Sequence, residues 1–394
     1  MIKLKKIGII LIICLLMTGC WDKTELKEVG IVTAMGVDLE DDGQITMSVL
    51  MVIPLGSEVQ QSTTWYGKSK GKTLMDASKN IRKHTSKKPE WYHSKLVLIG
   101  EKLARKDMYK VLDYLSRNQQ IRYSNNIIVC EGRADEALSA PADLETSLAS
   151  EIGGLIENTS DYTKAYVEKL KDFLQSMDSE TVGSVCGRLR YSQDREITFS
   201  SNRETIMKLN DEKDYKYIAL EGTSVFKGMK LAGFLNDLET SGFLFITGKA
   251  KGGGIPVKVE EDQYVFLDHS KPDSKIEINM EDNKIQANIK VELDTLIVET
   301  TEELRLKDKK FIKEIEEMAA KEVRERMEAS MKKAKELNSD IFGISEQIHK
   351  TYPKVWKEIK DDWDKIFKEI PIEYEVKVKI KGFNLIGDRI KQVK

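Results

Sequence analysis

The chain has 394 residues, 40% hydrophobic and 32% charged, a balance that excludes both a disordered tail and a polytopic membrane protein. Its 63 basic and 65 acidic side chains nearly cancel, which excludes nucleic-acid binding through a strong global positive field. Four cysteines and four histidines rule out a disulfide-stapled scaffold and leave little for a histidine-rich metal site.

The first twenty residues read as an address. Lys3, Lys5 and Lys6 precede an uncharged run over 7–17, followed by Thr18-Gly19-Cys20. Such a run rises only about 16 Å as a helix, against a hydrocarbon core of about 30 Å, so it fits a signal-peptide core better than a span. Small residues immediately before Cys20 match a bacterial lipobox, although Met17 stands where leucine is usual. Cys20 is therefore the expected lipidation site and the first residue of the mature chain. Loss of residues 1–19 removes three lysines and leaves 60 basic against 65 acidic side chains, a net charge of −5. Two or more acyl chains would hold the protein at a membrane without spanning it. Cys130 and Cys186 remain, with no CxxC neighbour, and are read as two separate thiols rather than a disulfide.

Residues 31–38 and 45–53, joined by Asp41-Asp42-Gly43, predict a β-hairpin ended by Pro54. Residues 57–72 are polar and glycine-containing and read as an exposed loop, with Trp65 and Tyr66 as a candidate partner contact. A helix over 73–84 would bury Leu74, Ala77 and Ile81; a strand over 92–99 and a helix over 102–117 follow. A strand at 126–130, a helical turn at 134–138 and mostly helical 144–177 complete an alternating α/β pattern.

Beyond residue 215 the texture changes. Strands are predicted at 217–226, 230–235 and 243–247, a flexible loop at 249–254, and an antiparallel hairpin over 276–293. A long amphipathic helix over 308–337 is capped by Asp308, and Pro353 opens another with Trp356 and Trp363 on its inner face. A last strand covers 372–380. The sum is a multi-domain α+β protein. Residues 1–19 form a lipoprotein signal peptide and 20–214 an N-terminal α/β region of two subdomains. Residues 215–394 form a C-terminal α+β domain, an antiparallel sheet packed against long helices.

No constellation for catalysis emerges. Gly67-Lys68-Ser69-Lys70-Gly71-Lys72-Thr73 imitates a P-loop with one residue too few between its glycines, and also spells Gly-x-Ser-x-Gly. Neither reading has the apolar strand it needs. The Ser-x-x-Lys matches at Ser69, Ser224 and Ser330 lack their companion motifs. Lys249–Gly254 reads as a mobile connector before an anion cradle. His84, His93, His269 and His349 have no ligand spacing. No catalytic residue, metal or cofactor is expected, and no nucleic-acid partner.

Several segments together are more specific. They begin with Gly19-Cys20-Trp21-Asp22, Glu25-Leu26, Gly36-Val37-Asp38, the run His93–Glu101, Leu103-Ala104-Arg105, Leu112-Asp113 and Arg117. They continue with Gly222–Lys227, Leu231-Ala232-Gly233, Glu239–Gly242, Asp340–Gly343, Tyr352-Pro353, Trp356, Asp362-Trp363 and Phe367. In this order the chain resembles the Ger(x)C family, the lipoprotein C subunits of nutrient germinant receptors in spore-forming bacteria; Ser224, where alanine is expected, is a departure. The resemblance implies a three-domain α+β protein on the outer face of the inner spore membrane. It also implies two integral membrane partners, one large and polytopic and one permease-like, and a role in triggering germination without enzymatic activity. The alternative is a substrate-capturing lipoprotein of a nutrient transporter, which would need two similar lobes around a cleft.

Overall fold

The computed structural model describes residues 28–54, 63–142, 144–179, 181–192, 217–281, 284–300 and 308–383. Cys20 and the signal segment lie outside the described residues. The fold is mixed α and β, built on two sheets.

The first sheet begins with the expected hairpin, β1 (Val29–Leu39) and β2 (Ile45–Ile53). β3 (Thr63–Gly71) pairs antiparallel with β2 along its whole length, so 63–71 of the stretch read as a loop form an end strand instead, and 57–62 lie outside the described residues. Helix α1 (Leu74–Ile81) follows, capped by the Thr73 hydroxyl, and buries Leu74, Ala77 and Ile81 as the spacing predicts. β4 (Lys88–Glu90) and β5 (Leu96–Gly100) run parallel to β1.

The helix predicted over 102–117 is two helices, α2 (Glu101–Lys106) and α3 (Tyr109–Arg117). Asp107 is fully extended between them, and the Met108 N–H donates to the Met229 carbonyl at 2.8 Å instead of continuing the helix. Next come β6 (Asn126–Cys130), α4 (Ala134–Ser139), α5 (Leu148–Asn158), the short β7 (Glu168–Lys169), α6 (Leu170–Met177) and β8 (Val185–Ser192). β9 (Tyr217–Lys227) and β10 (Lys230–Leu235) then extend this same sheet beside β8. The strand order is β10-β9-β8-β6-β5-β1-β2-β3, with β4 and β7 attached to β1 and β6. The sheet therefore runs past the expected boundary at 214/215.

β1, β5, β6 and β8 are mutually parallel and buried on both faces, which explains the continuous apolar run over 96–100. Successive side chains serve opposite cores. Val97 and Ile99 join α1, α2, α3 and α6 on one face, while Leu96 and Leu98 join α4 and α5 on the other. Cys186 belongs to the first core and Cys130 to the second, so the sheet separates the two thiols, and both are free.

Residues 243–247, predicted as a strand, are instead the end of helix α7 (Asp237–Ile246). Asn236 and Glu239 form a reciprocal capping box at its start, and every residue from Thr240 to Ile246 is buried. The second sheet contains β11 (Gly253–Glu260), β12 (Gln263–His269), β13 (Asp273–Glu281), β14 (Lys284–Thr300) and β15 (Ile372–Phe383). Its order is β11-β12-β14-β13, antiparallel throughout, and β15 adds in parallel to β14. Helix α8 (Lys309–Glu336), capped by Asp308, lays Phe311, Ile315, Ala319, Val323, Met327, Met331 and Ala334 into the core it shares with α7 and this sheet. Three short helices, α9 (Ile344–Thr351), α10 (Pro353–Ile359) and α11 (Trp363–Glu369), close that core. Trp356 meets Trp363 edge-on, with ring centroids 5.6 Å apart.

Candidate functional site

Open α/β sheets gather polar groups at the carboxyl ends of their parallel strands, and this one does so at the ends of β1, β5, β6 and β8. Asp38 is the centre of that strip. It is 2% exposed, and its two oxygens accept the backbone N–H groups of Ala134 and Asp135, each at 2.8 Å. The bonds tie the end of β1 to the first turn of α4. Burial pushes the Asp38 carboxyl up to about 6, even against those two donors.

Outward from Asp38 the charges alternate. Lys68 pairs with Asp135 at 2.9 Å, Asp135 with Arg133 at 2.7 Å, Arg133 with Glu40 at 2.8 Å and Glu40 with Lys70 at 2.8 Å. Glu40 also accepts from the Thr46 hydroxyl, and its hydrogen bonds from Lys70 and Arg133 hold it down at about 2. Burial drives Asp135 upward, but Arg133 and Lys68 outweigh it and keep its carboxyl below the ordinary value. A second chain on the other side runs from Arg188 through Glu131 and Arg190 to Glu221. The Arg188 guanidinium also lies over the Phe234 ring, 4.4 Å from its centroid. Charge is thus matched by charge within the fold along the whole strip.

A second polar cluster lies where the two sheets meet. The Ser339 hydroxyl donates to the Phe226 carbonyl at 2.7 Å, and the Gly183 N–H donates to the Asp340 carbonyl at 2.9 Å. The Asp340 carboxylate, 3% exposed, accepts the N–H groups of Phe342, Gly343, Ile344 and Ser345 at 2.7–3.3 Å, and burial pushes it up. The hydroxyls of Thr240 and Ser241 reach Thr223 and Thr163, at 3.1 and 3.2 Å. Lys249 bridges Tyr166 and Glu168 at 2.9 and 3.1 Å, which fixes one end of the stretch read as a mobile connector.

The sequence candidates fall as follows. Trp65 and Tyr66 sit on β3, half-buried, and point to opposite faces. The Tyr66 hydroxyl donates to the Asp135 carbonyl at 3.3 Å, and burial raises its phenol to about 12. Ser69 is buried and donates to the Ala77 carbonyl at 2.5 Å, while Ser224 donates to the Gly187 carbonyl at 2.9 Å. Neither hydroxyl is free to act as a nucleophile. Ser330 is fully buried beneath α7. His84, His93 and His349 are exposed, whereas His269 is buried with Nδ1 2.8 Å from the Ser270 carbonyl. Among the described residues no group of histidine, cysteine and acidic side chains has the geometry of a metal site. The strip residues Arg133, Asp135 and Arg188 escaped sequence reasoning because charged residues are abundant; only the Gly36-Val37-Asp38 and Gly100 motifs pointed to that place.

Comparison with known proteins assigns both parts of the chain. Residues 22–190 match the family described as "Spore germination protein N-terminal domain", and 221–384 match "Spore germination B3/GerAC like, C-terminal". Spore germination protein KC of Bacillus subtilis (strain 168) is 23% identical over 97% of this chain and 96% of its own length. Spore germination protein B3 of the same organism is 24% identical over 97% and 98%. A crystal structure of the GerBC protein superposes with a TM-score of 0.54 at 18% identity, covering 91% of this chain and all of that one. The chain belongs to the GerAC-like family of spore germination proteins, and its role lies in spore germination.

Proposed function

We propose that this protein is the non-catalytic, lipid-anchored C subunit of a nutrient germinant receptor, held by Cys20 at the outer face of the inner spore membrane. There it assembles with two integral membrane subunits, one large and polytopic and one permease-like, and couples their response to nutrient. The observation that carries the non-catalytic reading is the commitment of the reactive side chains. The hydroxyls of Ser69 and Ser224 and the carboxylates of Asp38, Glu40 and Asp135 all bond to other parts of the fold. No helix of the described residues is long and apolar enough to cross a membrane, so the lipid on Cys20 supplies the attachment in this reading. Trp65 and Tyr66, on the outermost strand of the first sheet, are the proposed partner contact.

Cys20→Ala tests the anchor. The variant should fold, leave the membrane fraction and abolish the spore response to nutrient; a normal response with the protein released would refute the role of the tether. Calorimetry of the mature chain against amino acids, sugars and nucleosides should give no heat. Micromolar binding of any of them would favour a substrate-capturing lipoprotein instead.

A further inference from the structure

The hairpin tip between β1 and β2 has a second side, opposite the charged strip. There Leu39 and Ile45 form the floor of a cleft of about 500 Å³ roofed by α1, α2 and α3. Leu74, Leu103 and Val111 complete the floor, each at most 4% exposed. The lips are apolar too, since Met75 is 46% and Tyr109 58% exposed beside the opening.

The rim carries Lys72, Lys106, Lys110 and Arg117 against Asp107 and Asp113. Arg117 is taken by Asp113 at 2.6 Å. Asp107 receives the Tyr109 N–H at 2.8 Å. The three lysines are exposed and form no ion pair with any described residue. On the opposite side of the tip, by contrast, each cation of the Lys68–Asp135–Arg133–Glu40–Lys70 chain meets a carboxylate. An apolar hollow ringed by unmatched lysines selects for a hydrocarbon body with an anionic end.

Its size narrows the occupant further. The volume lies within the roughly 300–1,000 Å³ of small-molecule sites. One turn of an α-helix about 10 Å across would occupy about 400 Å³, so the cleft lacks room for the several turns that groove-bound helices use. We infer that the cleft between the β1–β2 tip and helices α1–α3 binds one acyl chain of an anionic amphiphile, with that chain over Leu39, Ile45 and Val111 and the carboxylate or phosphate at Lys72, Lys106 and Lys110. The same chemistry is offered by a free fatty acid and by an anionic bilayer lipid. This site is independent of the receptor assignment, because it rests on the cleft alone.

The test uses the full chain in membranes with a photoactivatable diazirine analogue of dodecanoate as probe. Illumination should label peptides containing Met75 or Tyr109, and free dodecanoate should suppress that labelling while dodecyltrimethylammonium does not. The double variant Lys106→Glu/Lys110→Glu, on exposed positions that leave the core intact, should lower labelling there about tenfold and leave labelling elsewhere unchanged. Phosphatidylglycerol vesicles that compete as well as dodecanoate would identify a bilayer lipid as the occupant; competition by dodecanoate alone would identify a free acid. Labelling spread evenly over the surface, equal suppression by the cationic amphiphile, or indifference to the lysine variants would overturn the proposal.

Discussion

A methyl group placed on Gly100 would stand 2.0 Å from the Asp38 carboxylate oxygen and 3.4 Å from the Gly132 carbonyl. The end of β5 is thereby closed to any side chain, because the β1 carboxylate has to pass it to reach α4. Gly100→Ala should destabilise the protein by about 2–4 kcal/mol through overpacking against fixed polar atoms. Gly153 and Gly154, inside helix α5, where an added methyl would meet open space, provide the contrast: alanine at either should stabilise by about 0.5–1 kcal/mol. Chemical denaturation of the three variants checks both signs.

Asp38 makes a pH prediction whose direction runs against the usual carboxylate. Its folded pKa is raised to about 6, above an unfolded value of about 3.9. The folded state therefore binds the extra proton between those values, and this group favours folding most below about pH 4. Its contribution declines as pH rises towards 6, by roughly 2–3 kcal/mol over the window. Asp38→Asn should remove that slope from a series of melting temperatures taken between pH 4 and 7. An unchanged slope in the variant would contradict the assignment.

Asp340 holds four backbone N–H groups where the chain turns from α8 into α9. Asp340→Ala leaves those buried donors without an acceptor and should cost about 3 kcal/mol or more. Asp340→Asn, which keeps one acceptor oxygen, should lose less. Because the Asp340 carbonyl also receives the Gly183 N–H, limited proteolysis of the alanine variant should expose cleavage sites on both sides of the junction.

Cys130 and Cys186 are fully buried, and burial pushes both thiols far up. Neither should react with an aromatic disulfide reagent in the native protein. Both should react, with no prior reduction, once the chain is unfolded in guanidinium. A requirement for reductant would mean that they pair after all.

The sequence displays most elements whose pattern is local. The α1 helix shows itself through Leu74, Ala77 and Ile81, and α8 through its four-residue steps. β3 stays hidden because an end strand can carry Lys68 and Lys70 on its polar face and two glycines without losing its ladder to β2. α7 misleads in the opposite way. Buried all round, it has no polar stripe, and only the Asn236–Glu239 capping box marks it as a helix. The parallel pairing of β14 with β15 joins segments more than seventy residues apart, which no local period encodes. The charged strip was half-visible for the same reason: Asp38 and Gly100 stand in short motifs, whereas Arg133 and Asp135 acquire meaning only from a contact across nearly a hundred residues.

The placement of β9 and β10 has a consequence for biogenesis. Translation proceeds from the amino end, and domains generally fold as they emerge, yet β8 has no neighbour on one side until residues 217–227 have been made. A nascent chain paused just beyond residue 192 would carry a bare ladder of backbone donors and acceptors, the kind of template that invites self-association. An excised amino-terminal half ending there should therefore precipitate, while one extended through Leu235 should stay dispersed.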